Sequence, residues 1–304
     1  MPHYNILSLW YTLGMAGDQF NQPQFPNNLN RIRSIISHIP QLALEQYAEL
    51  ATAIRFLTVI PVPGPEELFR SQSTQQAIPT VRIGLGSGYF PLVGLLLALL
   101  LWVLVIALRL LFMPQLALAA LLVVVLVLLT GGLHLDGLMD SCDGLFGSST
   151  PEGRLEIMRD SRVGSFAVLG AVCILLLKVA FLASLQERLL IPALLIALPT
   201  SRWTMVLALR VFPGARSTGL GATFRQIVTS WRLVLAGVTA LIIVLLAGLL
   251  VGLIVWVVTT LVALALGVWI TRRLGGNTGD TYGAIAEVSE VVALLLIVIL
   301  QRWV

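Results

Sequence analysis

Lysine and cysteine are nearly absent from this sequence. All but one of the 19 basic residues are arginine, and the single lysine, Lys178, lies inside an apolar run. The two cysteines, Cys142 and Cys173, are too few for a disulfide framework or a Cys-x-x-Cys metal site. No basic run with interleaved aromatic residues is present, so we expect no nucleic-acid partner. No glycine-rich loop ends in Gly-Lys-Ser or Gly-Lys-Thr, which excludes a Walker A phosphate site.

Apolar residues dominate instead: they make up 58% of the 304 residues, and charged residues only 11%. The mean hydropathy of +0.94 lies well above that of soluble globular domains. Continuous apolar runs, most near the ~20 residues that cross a bilayer as a helix, predict an all-α polytopic membrane bundle of about seven spans. The runs do not alternate apolar and polar residues, which argues against a membrane barrel. They are Tyr89–Phe112, Leu116–Leu129, Gly164–Ser184, Leu190–Leu209, Leu233–Gly252, Ile254–Ile270 and Ala284–Leu300.

No charged loop separates the fifth run from the sixth, so these two are predicted to form a tight helical hairpin at one membrane surface.

Residues 1–45 are rich in Gln, Asn and Pro and predict a flexible polar extension without the features of a signal peptide. Gln46–Ile60 reads as a short amphipathic helix at the membrane surface, ended by Pro61 and Pro63. Residues 46–304 are predicted to be a single membrane-embedded catalytic domain.

The arginines fall in alternate connections between the apolar runs. By the positive-inside rule these connections and the N-terminus face the cytoplasm, and Val304 lies outside. The membrane is predicted to be the inner (plasma) membrane of the cell. The net charge of +4 then reflects this topology and contact with membrane lipid. The residues are Arg55, Arg70, Arg82, Arg154, Arg159, Arg162, Arg210, Arg216, Arg225, Arg232, Arg272 and Arg273.

Nine of the 15 acidic residues lie in what the apolar pattern indicates are two cytoplasmic connections. If the first connection is helical, Asp136, Asp140 and Asp143 are spaced i, i+4, i+7 and share one face. In the second, Glu287 and Glu290 are spaced i, i+3. Like charges on one helical face repel, and a bound cation removes that penalty. Oxygen-only ligands suit Mg²⁺, with Mn²⁺ as the alternative, better than zinc.

Glycines surround these carboxylates in GGLHLDGLMDSCDGLFG and GGNTGDTYGA. We expect them to permit tight turns and close approach of a ligand to the backbone. A metal together with arginine side chains can hold a diphosphate, as in enzymes that transfer phosphoryl groups by positioning and charge neutralisation.

Five stretches resemble the cobalamin synthase (adenosylcobinamide-GDP ribazoletransferase) family, in the expected order and with membrane segments between them. They are RFLTVIPVP at Arg55–Pro63, GYFPLVG at Gly88–Gly94, GGLHLDGLMDSCDGLFG at Gly131–Gly147, EGRLEIMRDSRVGSFAVLG at Glu152–Gly170 and GGNTGDTYGAIAEVSE at Gly275–Glu290. The extension before residue 46 is longer than we expect for this family.

The resemblance implies a reaction. A ribose hydroxyl of α-ribazole, or of α-ribazole 5′-phosphate, attacks the cobinamide-bound phosphate of adenosylcobinamide-GDP, and GMP leaves. The product is adenosylcobalamin or its 5′-phosphate, and Mg²⁺ is the implied cofactor.

Roles for single carboxylates are hypotheses on this basis. Asp136, Asp140 and Asp143 are assigned to metal, with Asp280 as a further ligand and Glu287 and Glu290 as second choices. Asp143 is also the candidate general base. His134 is either a packed histidine or a residue that orients a ligand or moves a proton.

Among the basic residues, Arg159 and Arg162 are the candidate phosphate clamps, with ion pairing to Asp160 or Glu156 as the alternative. Arg202, inside the fourth span, either snorkels to the interface or reaches the diphosphate. Lys178 is expected to snorkel or to pair.

Two other functions fit parts of the pattern. A transporter would have similar spans, but its carboxylates are expected near the bilayer midplane. A CDP-alcohol-type phosphotransferase shares the logic of aspartates at i, i+4 with Mg²⁺, but its Ala-Arg element is missing. Small residues in the spans, such as Gly237, Gly248 and Gly252, allow close helix packing within the chain or in a homo-oligomer.

Overall fold

The computed structural model describes residues 43–63, 86–215 and 228–303. Within these ranges every secondary-structure element of more than one residue is a helix, which confirms the all-α prediction. Residues 1–42 of the predicted extension lie outside the described residues, as do Arg70, Arg82, Arg216 and Arg225. The helices are α1 (43–57), α2 (Phe90–Leu110), α3 (Gln115–Leu129), α4 (Leu133–Gly147), α5 (Pro151–Ile157), α6 (Ser165–Ser184), α7 (Glu187–Val211), α8 (Ser230–Leu274) and α9 (Gly279–Leu300).

Five of these helices, α2, α6, α7, α8 and α9, are long and apolar enough to cross a membrane. The pair α3 and α4 passes the same test only together, with a bend of 90° between them, which raises the number to six. The predicted number was about seven because α8 was expected as two spans. Its 45 residues would make a straight helix of about 68 Å, more than twice the ~30 Å of a bilayer core.

The backbone of α8 leaves helical geometry at Leu249, with φ 44° and ψ −122°. Trp203 of α7 contacts both arms: a Cβ on Gly237 would lie 3.1 Å from its ring, and its Nε1 donates to Thr260 Oγ1 at 3.1 Å. In a straight helix, residues 237 and 260 would be about 35 Å apart. The helix therefore folds back at Leu249 as the predicted hairpin. Counting its arms separately, together with the bent pair, gives seven segments.

The central helix is α7. In its 18-residue apolar stretch 83% is buried, compared with 22% in the corresponding stretch of α8. Close packing against α2 depends on Gly94, where a Cβ would lie 2.6 Å from the Leu198 carbonyl oxygen. Exposed leucines such as Leu176, Leu246 and Leu250 lie on the outside of the bundle. This distribution fits a bundle with α7 in its interior and lipid around the other spans.

The 15 residues of α3 reach only about 22 Å, less than the thickness of a bilayer core. Its C-terminus is followed by Gly131 and Gly132, with φ of 60° and 71°. Glycine adopts these angles without steric cost, so the chain turns there. After the turn, α4 runs at 90° to the preceding span and carries the aspartate motif.

Candidate active site

The N-terminal ends of α4 and α9 cross in direct backbone contact. A Cβ on Gly137 would lie 2.7 Å from the Asp280 carbonyl oxygen, and one on Gly283 would lie 3.1 Å from the His134 carbonyl oxygen. This crossing brings Asp136 and Asp140 of α4 close to Asp280 of α9. Gly137 and Gly283 thus serve contact between helices, where we had expected contact with a ligand, while Gly131 and Gly132 form a tight turn as expected.

Asp140 lies in a crowded acidic environment. Burial, together with the smaller effects of the nearby charges of Asp136, Asp280 and Asp143, raises the pKa of its carboxyl group to about 6. Asp136 is exposed and Asp140 is partly buried. In the part of the chain that the structure describes, neither carboxylate forms an ion pair. We call Asp136, Asp140 and Asp280 the aspartate cluster; its charge favours a bound cation.

Local geometry fixes Asp280 at the start of α9. Thr278 and Thr281 form a capping box, and the Thr278 hydroxyl donates to Asp280 Oδ2 at 3.3 Å. A carboxylate in the first turn is also stabilised by the helix dipole. The position of Asp280 is therefore set by the helix terminus.

Among the described residues, no group of three His, Cys, Asp or Glu side chains is arranged to hold a metal ion by itself. The chemistry of the aspartate cluster nevertheless fits Mg²⁺, which is commonly held by one or two carboxylates together with substrate phosphates and water. A metal ion at this cluster would therefore need further ligands from water or a bound phosphate.

Asp143 does not share this arrangement. It is 9% exposed, and its Oδ2 accepts from the Gly164 amide at 2.6 Å while its Oδ1 accepts from the Ala167 amide at 2.8 Å. Both oxygens therefore bind backbone donors at the start of α6. These contacts favour a helix-capping role for Asp143 over the metal-ligand and general-base roles that we assigned to it. The two partners are 21 and 24 residues away, so the helical spacing of the aspartates gave no sign of it.

Glu287 and Glu290 were expected in a cytoplasmic connection, and this location is wrong. α9 already begins at Gly279, so both lie two to three turns inside a membrane-spanning helix and are buried. Lys178 of α6 donates to Glu287 Oε2 at 2.6 Å and to Glu290 Oε2 at 2.5 Å. Their carboxylates are thus used by a buried cation, in place of the metal that we assigned to them as second choice.

Arg202 of α7 is 1% exposed, which rules out snorkelling to the interface. Its guanidinium binds Glu290 and also donates to Ser201 Oγ at 2.7 Å. In this structure it binds a glutamate of the same chain, and contact with a substrate diphosphate stays a prediction. Lys178, Arg202, Glu287 and Glu290 form a buried network with two positive and two negative groups, which we call the interior ion network.

His134 lies between the aspartate cluster and the interior ion network. It is 1% exposed, and neither ring nitrogen has a hydrogen-bond partner among the described residues. It is close enough to Arg202, Glu290 and Lys178 to interact with their charges. Its burial fits the packed histidine of the two alternatives.

The candidate phosphate clamps are outside the aspartate cluster. Arg162 is paired with Asp160, with 2.6 Å between Nη2 and Oδ2, and its side chain is 88% exposed. Hydrogen bonds from Arg162 lower the pKa of Asp160 to about 2. Arg159 is exposed. The structure thus favours the ion-pair alternative for Arg162.

Sequence reasoning used Arg154 only for topology, but this residue is 7% exposed and holds two elements together. Its Nε donates to the Ser148 carbonyl at 2.9 Å, and its Nη1 donates to the Arg273 carbonyl at 2.8 Å. Arg154 and Arg273 line a groove of about 440 Å³ at the end of α4. A second groove, of about 530 Å³, opens at the start of α4 and contains Asp136.

Comparison with known proteins identifies the family. A profile of the cobalamin-5-phosphate synthase family matches residues 49–298. The chain belongs to this family. The adenosylcobinamide-GDP ribazoletransferase of Desulfitobacterium hafniense is 41% identical over 252 residues, covering 81% of this chain and 95% of that protein. Those of Roseiflexus sp. and Escherichia coli are 39% and 36% identical, covering 82% and 80% of this chain and 88% and 96% of the relatives.

No solved structure matches the chain. The family resemblance predicted from the five motifs is confirmed. Family membership also leaves the CDP-alcohol phosphotransferase and the transporter without support.

Proposed function

We propose that this protein is an adenosylcobinamide-GDP ribazoletransferase that joins adenosylcobinamide-GDP to α-ribazole or α-ribazole 5′-phosphate. The observation that carries the proposal is the aspartate cluster at the α4–α9 crossing, in a chain of the cobalamin-5-phosphate synthase family. Within the part of the chain that the structure describes, Asp136 and Asp140 form no ion pair, and such carboxylates suit a substrate that arrives as a diphosphate with its metal.

The bond changes are those of a phosphoryl-group substitution. A ribose hydroxyl oxygen of the acceptor forms a bond to the cobinamide-bound phosphorus, and the bond from that phosphorus to the oxygen bridging to GMP breaks. The hydroxyl proton passes to a carboxylate of the aspartate cluster, and GMP leaves with the bridging oxygen. Asp143 is unsuited to accept the proton because both of its oxygens bind backbone amides.

Asp136, Asp140 and Asp280 would hold Mg²⁺, with Mn²⁺ as a substitute. When bound, the metal supplies charge neutralisation at the diphosphate and at the departing GMP. The protein itself orients these three side chains through the α4–α9 crossing and keeps the interior ion network neutral behind them.

We further propose that this site faces the cytoplasm from the inner membrane. Arg154 donates to the Arg273 carbonyl, so the α4–α5 region and the end of α8 lie at one end of the bundle. Arg109 pairs with Glu187 at 2.7 Å, which joins the end of α2 to the start of α7 at the other. The end with more arginines is the cytoplasmic one by the positive-inside rule. Cysteine substitutions at Arg159 and Arg188 test this: an impermeant thiol reagent applied to intact cells should label only the second, and labelling of the first would reverse the orientation.

The activity is tested with the full chain in detergent, by following GMP release from adenosylcobinamide-GDP and α-ribazole with and without Mg²⁺. We expect metal-dependent release with formation of a cobalamin, lost in Asp140→Asn. The matched control is Asp160→Asn, which removes an exposed aspartate outside the cluster and should stay active. A folded wild-type protein that releases no GMP would contradict the proposal.

A further inference from the structure

The groove at the start of α4 has an apolar lining with one charged side chain. Its walls include Phe56 of α1 and Leu133, Leu135 and Met139 of α4, and Asp136 is the charged residue among them. The Thr130 hydroxyl, also in the wall, is engaged with the Leu126 and Val127 carbonyls. The groove therefore offers apolar side chains to a flat group, next to the Asp136 carboxylate and the backbone of Gly131 and Gly132.

The groove at the other end of the same helix differs in charge. Arg154 and Arg273 line it together with Leu145, Phe146 and neighbouring backbone. Ten residues separate Leu135 from Leu145, or about 15 Å along the helix axis. Asp136 and Asp140 lie between these two leucines, so α4 offers an apolar surface on one side of the aspartates and a basic surface on the other.

The reaction needs two such sides. In a phosphoryl substitution the attacking and leaving oxygens lie roughly in line across the reacting phosphorus. The acceptor therefore approaches on one side of the phosphorus, and GMP leaves on the other. GMP is anionic and matches the basic groove. The acceptor α-ribazole carries a dimethyl-substituted benzimidazole, which is flat and apolar.

We propose that the groove of Phe56, Leu133, Leu135 and Met139 binds the benzimidazole base of α-ribazole, with its ribose directed to Asp136. This assignment rests on the function proposed above. A volume of about 530 Å³ lies within the range of sites for drug-sized ligands, whereas a corrin ring with its side chains and adenosyl group is much larger.

The test uses the full chain in detergent and the variants Leu135→Ala and Met139→Ala. Binding of α-ribazole alone is measured by calorimetry, and KM is measured for each substrate. Because each variant removes several apolar atoms from the wall, we expect binding about tenfold weaker and an α-ribazole KM about tenfold higher. The KM for adenosylcobinamide-GDP should not change. Leu128→Ala is the matched control, because Leu128 is 65% exposed on α3 and outside both grooves.

Three results would overturn the assignment: no binding of α-ribazole, a rise in the KM for adenosylcobinamide-GDP in place of α-ribazole, or no change in either variant, as a groove filled by lipid would give. If α-ribazole binds, the variants weaken it and no GMP is ever released, the groove assignment holds and the proposed reaction fails. The melting temperature of each variant separates a local effect from misfolding.

Discussion

Two groups of carboxylates in this protein look alike in sequence and differ in the structure. Asp136 and Asp140 are spaced i, i+4, and Glu287 and Glu290 are spaced i, i+3, so each pair shares one helical face. The glutamates are buried among three spans and are balanced by Lys178 and Arg202. The aspartates lie at the end of the bundle, and the described residues supply them with no ion pair. Spacing alone therefore does not distinguish a structural carboxylate from one that is available to bind a cation; the position of the basic side chains does.

Removing a charge from the aspartate cluster should have the largest effect on activity. We expect Asp140→Asn to lower kcat/KM by about 10³-fold, since several kcal/mol of charge stabilisation at the reacting phosphate would be lost. The melting temperature should stay the same or rise, because repulsion with Asp136 and Asp280 is relieved. Steady-state kinetics and thermal unfolding in detergent measure the two effects. A large loss of stability would instead place Asp140 with the structural carboxylates.

Removing a charge from the interior ion network should have the opposite effect, which is a large loss of stability in place of a direct loss of activity. Glu290→Gln leaves Arg202 without its partner in the spans, and breaking a buried pair in this way costs about 3–5 kcal/mol. Unfolding of the purified protein in mild detergent measures the change. Full stability with complete loss of activity would show that Glu290 belongs to the reaction site.

The control for Glu290→Gln keeps the network neutral. Lys178→Met combined with Glu287→Gln removes one charge of each sign, and we expect the double variant to be more stable than Lys178→Met alone. The double-mutant cycle should give a coupling energy within about 0.5–3 kcal/mol. No coupling would mean that the Lys178–Glu287 contact does not matter for folding.

A smaller effect is expected at Asp143, which sits between the two groups in sequence. Asp143→Asn replaces one of the two acceptor oxygens by an NH₂ donor, which leaves one backbone amide at the start of α6 without its acceptor and should cost about 1–3 kcal/mol, with activity retained. The measurement is the same pair of assays used for Asp140→Asn. Loss of activity to the same extent as in Asp140→Asn would restore the metal or base role that the sequence suggested.

The smallest effect is expected at Arg162. Its side chain is 88% exposed, so Arg162→Gln should leave both the melting temperature and the KM for adenosylcobinamide-GDP unchanged. A clear rise in that KM would show that Arg162 leaves Asp160 to bind phosphate, as its motif predicted.

Much of the fold follows from the sequence because apolar length and helix breakers act locally. The all-helical class, the hairpin at Leu249 and the helical face of Asp136 and Asp140 are of this kind. We expected these aspartates near Asp280 only because both connections were predicted on the same side of the membrane. The structure adds the close glycine contacts at Gly137 and Gly283.

The errors concern partners that are distant in sequence. Glu287 and Glu290 were placed in the connection although both lie within the apolar run that begins at Ala284. The capping box at Thr278 shows that α9 begins even earlier, at Gly279. One signal was present: Lys178 and Arg202 are isolated cations in apolar runs, and each requires a buried carboxylate. Matching charges between spans would have pointed to both glutamates.

The most direct test of the distinction between the two groups is a Mn²⁺ titration followed by electron paramagnetic resonance. It compares the wild type, Asp140→Asn and the control Asp160→Asn, all in detergent with adenosylcobinamide-GDP present. The account predicts saturable binding by the wild type and the control, and strongly weakened binding by Asp140→Asn. Equal binding by all three proteins would contradict the conclusion that the aspartate cluster holds the metal.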